Sequence, residues 1–284
     1  MLIAILAHAG RPPEPHDLWG AWNTDPVLLA AFFLTVWAYR RGQIGGRLRD
    51  ADVWRIRCFA GGMVAIAVAL ISPLDAMSGA LASAHMVQHV LLVLVAAPLL
   101  ALAAPSSTLL RGSPLVVRRA TGRLRRRFGL THANLAPLRH PVALWLLHVA
   151  TLWFWHARVP YDAALGNELV HVLEHVSFLV TGLLFWRVVV GARGAGRVSH
   201  GFGVMLVFAM ALQSVFLSVL LVFARTPWYA GYTETTRPWG LEQLADQQLA
   251  GAIMWVPAGM VYLAAGLTLM IAWVRATEHE DIEL

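Results

Sequence analysis

Residues 83–104 read SAHMVQHVLLVLVAAPLLALAA, and this run decides the fold because it contains no carboxylate, arginine or lysine. An α-helix rises about 1.5 Å per residue, so a helix of this length crosses the roughly 30 Å of hydrocarbon in a bilayer. The run therefore predicts a transmembrane helix with two histidines, His85 and His89, near its start.

The rest of the chain has the composition of a membrane protein. Hydrophobic residues make up 58% of the 284 residues and charged residues 13%, whereas soluble domains usually carry about 25% charge. Six further apolar stretches are long enough to cross or nearly cross a bilayer. The seven predicted spans lie at about 27–40, 53–73, 83–104, 141–156, 168–190, 202–224 and 248–274. The expected fold is an all-α bundle of seven transmembrane helices in a single membrane domain, 1–284.

Arginine content alternates between the connecting segments, and this alternation predicts the orientation. All 22 basic residues are arginines, and most of them fall in segments 40–57, 105–140 and 187–197. Cytoplasmic loops are the ones enriched in basic residues. We therefore expect an outer N-terminal tail at 1–25, a basic cytoplasmic loop at 105–140 and an acidic cytoplasmic tail at 275–284. The net charge of +6 then reflects topology, and nucleic acid is not an expected partner.

Two predicted spans carry histidines one helical turn apart. His85 and His89 lie at the start of the third span, and His171 and His175 lie at the start of the fifth, together with Glu174. Residues four apart share one face of a helix, and both spans are expected to begin outside. Because imidazoles and carboxylates are costly at membrane depth, these five residues predict an outward-facing metal site.

Two more residues are candidate ligands at the same side of the membrane. His156 ends the fourth span, and Asp246 precedes the seventh. His148 and Gln213 lie deeper in their spans, so we interpret them as buried hydrogen-bond partners or supports of the ligands.

The ligand types favour copper, with zinc as the alternative. The single cysteine, Cys58, excludes a disulfide and a cysteine-rich zinc module, so a metal has to rest on other side chains. Imidazole accepts either metal, and the nearby thioethers of Met86 and Met254 favour Cu(I). Glu174 is expected to be a ligand or an acceptor that orients an imidazole.

Other functions stay open at this level. His171, Glu174 and His175 match H-x-x-E-H, in which two histidines hold zinc and the glutamate acts as a base for hydrolysis. Paired membrane histidines also ligate haem, and a purely structural scaffold would bond its histidines to one another.

Short distinctive stretches run from the second to the seventh predicted span. They are SPLD at 72–75, AHMVQH at 84–89, APLL at 97–100, WH at 155–156, PYDAAL at 160–165, HVLEHVSF at 171–178, FW at 185–186, LADQQ at 244–248 and MWVP at 254–257. Together these stretches resemble the CtaG family of cytochrome c oxidase assembly factors, first associated with caa(3)-type oxidases.

The resemblance implies a multi-pass protein of the bacterial plasma membrane. Its expected role is to assist the maturation of a haem–copper oxidase by handling copper, as a chaperone and not as an enzyme. The implied partners are the oxidase subunits, membrane lipid and the copper ion.

Overall fold

A computed structural model describes residues 12–44, 50–129, 140–190 and 198–282, and every regular element in these ranges is helical. The α-helices in chain order are α1 Pro26–Gln43, α2 Asp50–Leu70, α3 Pro73–Ser78, α4 Ala82–Val90, α5 Ala97–Ala103, α6 Ser106–Gly112, α7 Leu115–Arg127, α8 Pro141–His156, α9 Arg158–Gly166, α10 Glu168–Val189, α11 His200–Val222 and α12 Gln243–Ile282. This confirms the all-α prediction.

The central element of the bundle is the continuous helix formed by α4, a π-helical turn at Leu91–Ala96, and α5. In its most apolar window 56% of the residues are buried, against 22–39% in the other candidate spans. It contacts α2, α10 and α12. The stretch that decided the fold in the sequence therefore lies at the centre of the structure.

The π-helical turn has a local cause in Pro98. The ring of a proline clashes with the carbonyl four residues earlier and has no N–H to donate. In the π register the N–H of Ala97 bonds to the carbonyl of Leu92, so the carbonyl of Val93 would face the nitrogen of Pro98. The indole Nε1–H of Trp186 donates to that carbonyl instead, at 2.8 Å, and thereby ties α10 to the central helix.

The outer faces of the helices are apolar, as expected of a protein in lipid. Large exposed side chains include Phe33, Leu146, Phe208, Phe216 and Leu263. Apolar side chains exposed along the length of many helices are typical of a membrane protein.

Among the described residues, five helices are long and apolar enough to span a membrane. They cover Asp52–Leu70, Ala82–Ala103, Glu168–Val189, His200–Val222 and Gln243–Glu278, which correspond to predicted spans two, three, five, six and seven. The pair α8 and α9 would be a sixth span with a bend of 70°. Helix α1 does not meet the criterion, and its last turn carries Arg40 and Arg41. Of the predicted tail and loop, residues 1–11 and 130–139 lie outside the described residues.

Four of the described helices stand where the sequence predicted connecting segments. They are α3 and α9, beside the histidine-bearing ends of α4 and α10, and α6 and α7 in the basic loop. Helix α3 begins because Pro73 occupies its first turn and the hydroxyl of Ser72 accepts the N–H of Leu74 at 3.2 Å; proline at the first position and serine at the cap both favour a helix start.

Candidate metal centre

The first histidine pair lies at the start of α4, whose position is fixed by a carboxylate from α12. Asp246 accepts the backbone N–H of Ala82 at 2.6 Å and that of Ser83 at 3.2 Å, as well as the Ser83 hydroxyl. A carboxylate satisfies the free N–H groups of a helix start and interacts favourably with the helix dipole. One turn further, the rings of His85 and His89 are 4.3 Å apart and buried.

The second pair lies at the start of α10, which has its own cap. The side chain of Asn167 accepts the N–H groups of Leu169 and Val170 at 3.0 and 3.2 Å. In the first turns of this helix the rings of His171 and His175 are 4.2 Å apart. Glu174, on the same face, is wholly buried.

The two helices bring these side chains together. Ring centroids lie 5.5 Å apart between His85 and His171, and 5.7 Å apart between His89 and His175. The Oε1 atom of Glu174 is 3.5 Å from Nε2 of His85 and 3.6 Å from Nε2 of His89. We call these five residues the histidine cluster: His85, His89, His171, Glu174 and His175.

The histidine cluster contains two overlapping sets of possible ligands. One set is His85, His171 and Glu174, and the other is His89, Glu174 and His175; in each set the donor atoms lie within 4.8 Å of one another. Glu174 belongs to both sets. All five side chains are buried except His171, which is half-buried, so the first set is the more accessible one.

The distances fit an ion better than direct hydrogen bonds. Nitrogen to oxygen distances of 3.5 and 3.6 Å exceed the 2.7–3.2 Å range of a good hydrogen bond. Neighbouring ligands around a tetrahedral ion with bonds of about 2.0–2.1 Å lie roughly 3.4 Å apart. Both ring nitrogens of His85 and of His89, Nε2 of His175 and both oxygens of Glu174 have no hydrogen-bond partner among the described residues. Since a buried polar atom without a partner costs about 1–3 kcal/mol, a bound cation would relieve this cost.

His156 lies beside the histidine cluster and in neither set. Its ring is 6.0 Å from that of His89. Its Nδ1 is 2.8 Å from the carbonyl of Leu152, and because a carbonyl only accepts, Nδ1 carries the proton and Nε2 has a free lone pair. That Nε2 is buried and has no hydrogen-bond partner in the described part of the chain.

Asp246, the other predicted ligand, is not brought into the histidine cluster. Both of its oxygens accept hydrogen bonds from the start of α4. Its place in the structure is that of a helix cap that positions His85 and His89.

His148 and Gln213 are both hydrogen-bonded; His148 is buried, as interpreted from the sequence, whereas Gln213 is half-buried. Nδ1 of His148 is 2.9 Å from the hydroxyl of Thr181 on α10. The side-chain oxygen of Gln213 accepts the indole N–H of Trp153 at 3.0 Å.

Sequence reasoning missed a group of tyrosines that covers the histidine cluster. Tyr161, on α9, lies 5.0 Å from the His85 ring between centroids and stacks on Tyr229 at 3.7 Å. Its hydroxyl is 3.2 Å from that of Tyr232, which donates to the carbonyl of Ser78 at 2.9 Å. The only sequence signal was that Tyr161 stands in the PYDAAL stretch.

The hydroxyls of this cover remain protonated. Burial raises the pKa of Tyr229, and burial likewise raises the pKa of Tyr232 well above its ordinary value. Tyr229 therefore continues to donate to the carbonyl of His156, at 3.1 Å, and the cover keeps its hydrogen bonds throughout the physiological pH range.

Comparisons with known proteins agree with the resemblance seen in the sequence. The family model described as cytochrome c oxidase caa3 assembly factor matches residues 30–276. Uncharacterized proteins of Mycobacterium bovis and Mycobacterium tuberculosis are each 26% identical over 271 residues, and one of Mycobacterium leprae is 25% identical over 272. The alignments cover 93% of this chain and 41% of each relative, so the chain spans about two fifths of the length of these curated relatives. No solved structure matches the chain.

Proposed function

The chain belongs to the family of cytochrome c oxidase caa3 assembly factors, and we propose that it carries copper for a haem–copper oxidase in its histidine cluster. The observation that carries the proposal is the sharing of Glu174 between two sets of imidazoles on facing helices. Copper is the cargo of this protein in the proposal, and the oxidase subunits receive it.

The charges of the histidine cluster suit a monovalent ion. Glu174 is its only carboxylate, and both of its oxygens lie among imidazoles and have no hydrogen-bond partner in the described chain. A Cu(I) ion with one carboxylate has no net charge, which lowers the cost of holding the ion at membrane depth. Imidazole ligands with thioethers nearby favour Cu(I) over harder ions.

The overlap of the two sets also gives a route for exchange. An ion held by His85, His171 and Glu174 reaches the second set by exchanging the imidazoles while Glu174 stays bound. A carrier has to release its cargo, and a site in which ligands are exchanged in steps serves that purpose better than one closed cage.

We further propose that the protein is a single domain of seven spans in the bacterial plasma membrane, with the histidine cluster facing outward. Helix α1 packs against α6 so closely that a Cβ on Gly42 would lie 2.0 Å from the carbonyl oxygen of Thr108. This contact gathers Arg40, Arg41 and Arg111 at the end of the bundle where α5 ends. The histidine cluster lies at the other end of the α4–α5 helix, roughly 30 Å away. Cytoplasmic segments are the basic ones, so N-terminus outside, C-terminus inside is the favoured orientation.

The test is a competition titration of purified protein with Cu(I) and a chelator. The double variant His85→Ala with His175→Ala removes one imidazole from each set and should weaken the tightest copper site by at least about tenfold, or 1.4 kcal/mol. His140→Ala is the control, because His140 is exposed and lies outside the histidine cluster. Unchanged copper affinity in the double variant, with folding intact, would place the site elsewhere.

The zinc hydrolase alternative rests on the same glutamate. Glu174 is buried and lies on the same helix as His171 and His175, so the three residues of the H-x-x-E-H pattern are close together, as a hydrolase would need. Family membership instead favours an assembly factor over an enzyme. Glu174→Gln separates the two roles. A hydrolase would keep its zinc and lose all turnover, whereas a copper carrier would lose ion affinity and have no turnover to lose.

A further inference from the structure

We propose a second, sulfur-rich Cu(I) site in a cavity next to the histidine cluster, with the thioethers of Met86, Met210 and Met254 and Nε2 of His156 as its ligands. The cavity has a volume of about 40 Å³, and these four side chains line it together with His89. The identity of the ion rests on the proposed function.

The three methionines come from three different helices. Met86 lies on α4, Met210 on α11 and Met254 on α12, and at most 5% of each side chain is exposed. Buried methionines usually fill irregular gaps in a core. Here three of them border a cavity that they leave open, so filling space does not account for their position.

His156 supplies the second, independent observation. Its Nε2 carries a lone pair, because Nδ1 donates to the carbonyl of Leu152. The side chain is 3% exposed and lines the same cavity, and Nε2 has no hydrogen-bond partner in the described residues. A neutral imidazole nitrogen of this kind is a ready ligand for a metal ion.

The chemistry of the lining selects a soft monovalent ion. Thioethers bind Cu(I) well and hard divalent ions poorly, and the described residues that line this cavity include no carboxylate. A site with neutral ligands leaves the full charge of the ion uncompensated, which is less costly for one charge than for two. A volume of about 40 Å³ exceeds the roughly 10–15 Å³ that one water-sized sphere needs, so the cavity has room for an ion.

His89 connects the two sites. It belongs to the second ligand set of the histidine cluster and also lines the methionine cavity, and its ring is 6.0 Å from that of His156. Transfer between the sites is ligand exchange alone: bonds from copper to Glu174 and His175 break, bonds to sulfur form, and the ion stays Cu(I). The cavity thus extends the exchange route from the histidine cluster towards the middle of the bundle.

The experiment uses X-ray absorption at the copper edge to measure how many sulfur atoms are bound to copper in protein loaded with Cu(I). We expect a copper–sulfur shell in the wild type that loses the sulfurs of Met210 and Met254, and keeps that of Met86, in the double variant Met210→Leu with Met254→Leu; leucine is close to methionine in volume. The matched controls are Met205→Leu and Met260→Leu, because these methionines stand on the same two helices and are 66% and 67% exposed. If the double variant does not fold, each single variant should lose about one sulfur from the shell.

Zn(II) binding, measured on the same variants, tests the histidine cluster separately from the methionine cavity. Zn(II) binding should be unchanged in the methionine variants and lost when His85 and His175 become alanine. No sulfur shell in the wild type, or a shell that keeps its full number of sulfurs in the methionine variants, would overturn the second site and leave the histidine cluster unaffected. No binding of Cu(I) or Zn(II) by the wild type at all would overturn both.

Discussion

Substitution of Asp246 tests whether its carboxylate is a metal ligand or the cap of α4. It stands at the start of α12 and accepts hydrogen bonds from two backbone N–H groups and one hydroxyl at the start of α4. We expect Asp246→Ala to destabilise the protein and to weaken ion binding only indirectly, because the start of α4 then loses its support.

The magnitude follows from the groups that lose their partner. Removing a helix cap costs typically about 1 kcal/mol, and each buried N–H left without a partner costs about 1–3 kcal/mol. The N–H groups of Ala82 and Ser83 lie at a helix start, where water can replace part of the loss. We therefore expect Asp246→Ala to lower the free energy of unfolding by about 2–4 kcal/mol. Asp246→Asn keeps one acceptor oxygen and should cost about half as much.

The assay combines unfolding in detergent with Cu(I) titration. Asp246→Asn should bind copper within about threefold of wild type, since the ligands themselves are untouched. Glu242→Ala is the control, because Glu242 is exposed and lies one turn before Asp246. If Asp246→Asn unfolds like wild type and yet loses copper binding, Asp246 is a ligand and its assignment as a cap is wrong.

Three further predictions concern Glu174, which both ligand sets share, and two contacts that hold the helices together. Glu174→Gln should weaken Cu(I) by at least about tenfold, because the one negative charge is lost; equal affinity in a chelator competition would contradict its role. Trp186→Phe should cost about 1–3 kcal/mol in a detergent unfolding assay, since it leaves the carbonyl of Val93 without its indole donor; no change would mean that Val93 has another partner. Gly112→Ala places a Cβ 1.8 Å from the carbonyl oxygen of Ala38, so α1 and α6 have to separate, and the melting temperature should fall, whereas the same change at the uncrowded Gly166 should be milder.

Much of the fold could be predicted because membrane insertion imposes simple rules on sequence. The predicted boundaries of the third and fifth spans fall within a residue of the helices, since the length of an apolar run limits where a span begins and ends. The histidine pairs were equally readable, because residues four apart share a helix face. Hydropathy could not reveal the bend between α8 and α9, where the extended backbone at Ala157 breaks the helix.

The assignment of Asp246 shows what depth alone cannot predict. The sequence placed it at the same level as the histidines, and that level is also where the free N–H groups of α4 are found. A carboxylate near a helix start has two possible uses, as a ligand and as a cap, and only the packing of α12 against α4 decides between them. The tyrosine cover was missed for a similar reason, because Tyr229 and Tyr232 stand in a connecting segment far from α4 in sequence.

The site has two parts that differ in how firmly they are held: the start of α4, and the segment between α11 and α12 that covers it. The histidines of α4 are held between the Asp246 cap and the π-helical turn to which Trp186 donates a hydrogen bond, so contacts on both sides fix their positions. The segment between α11 and α12 is held over them by single hydrogen bonds, such as that from Thr235 to the carbonyl of Ala80 at 2.8 Å. Bonds of this kind contribute only about 0.5–1.5 kcal/mol each, far less than displacing a buried helix. We therefore expect an ion that binds as proposed to enter beside the half-buried His171, where the cover yields before the ligands on α4 move.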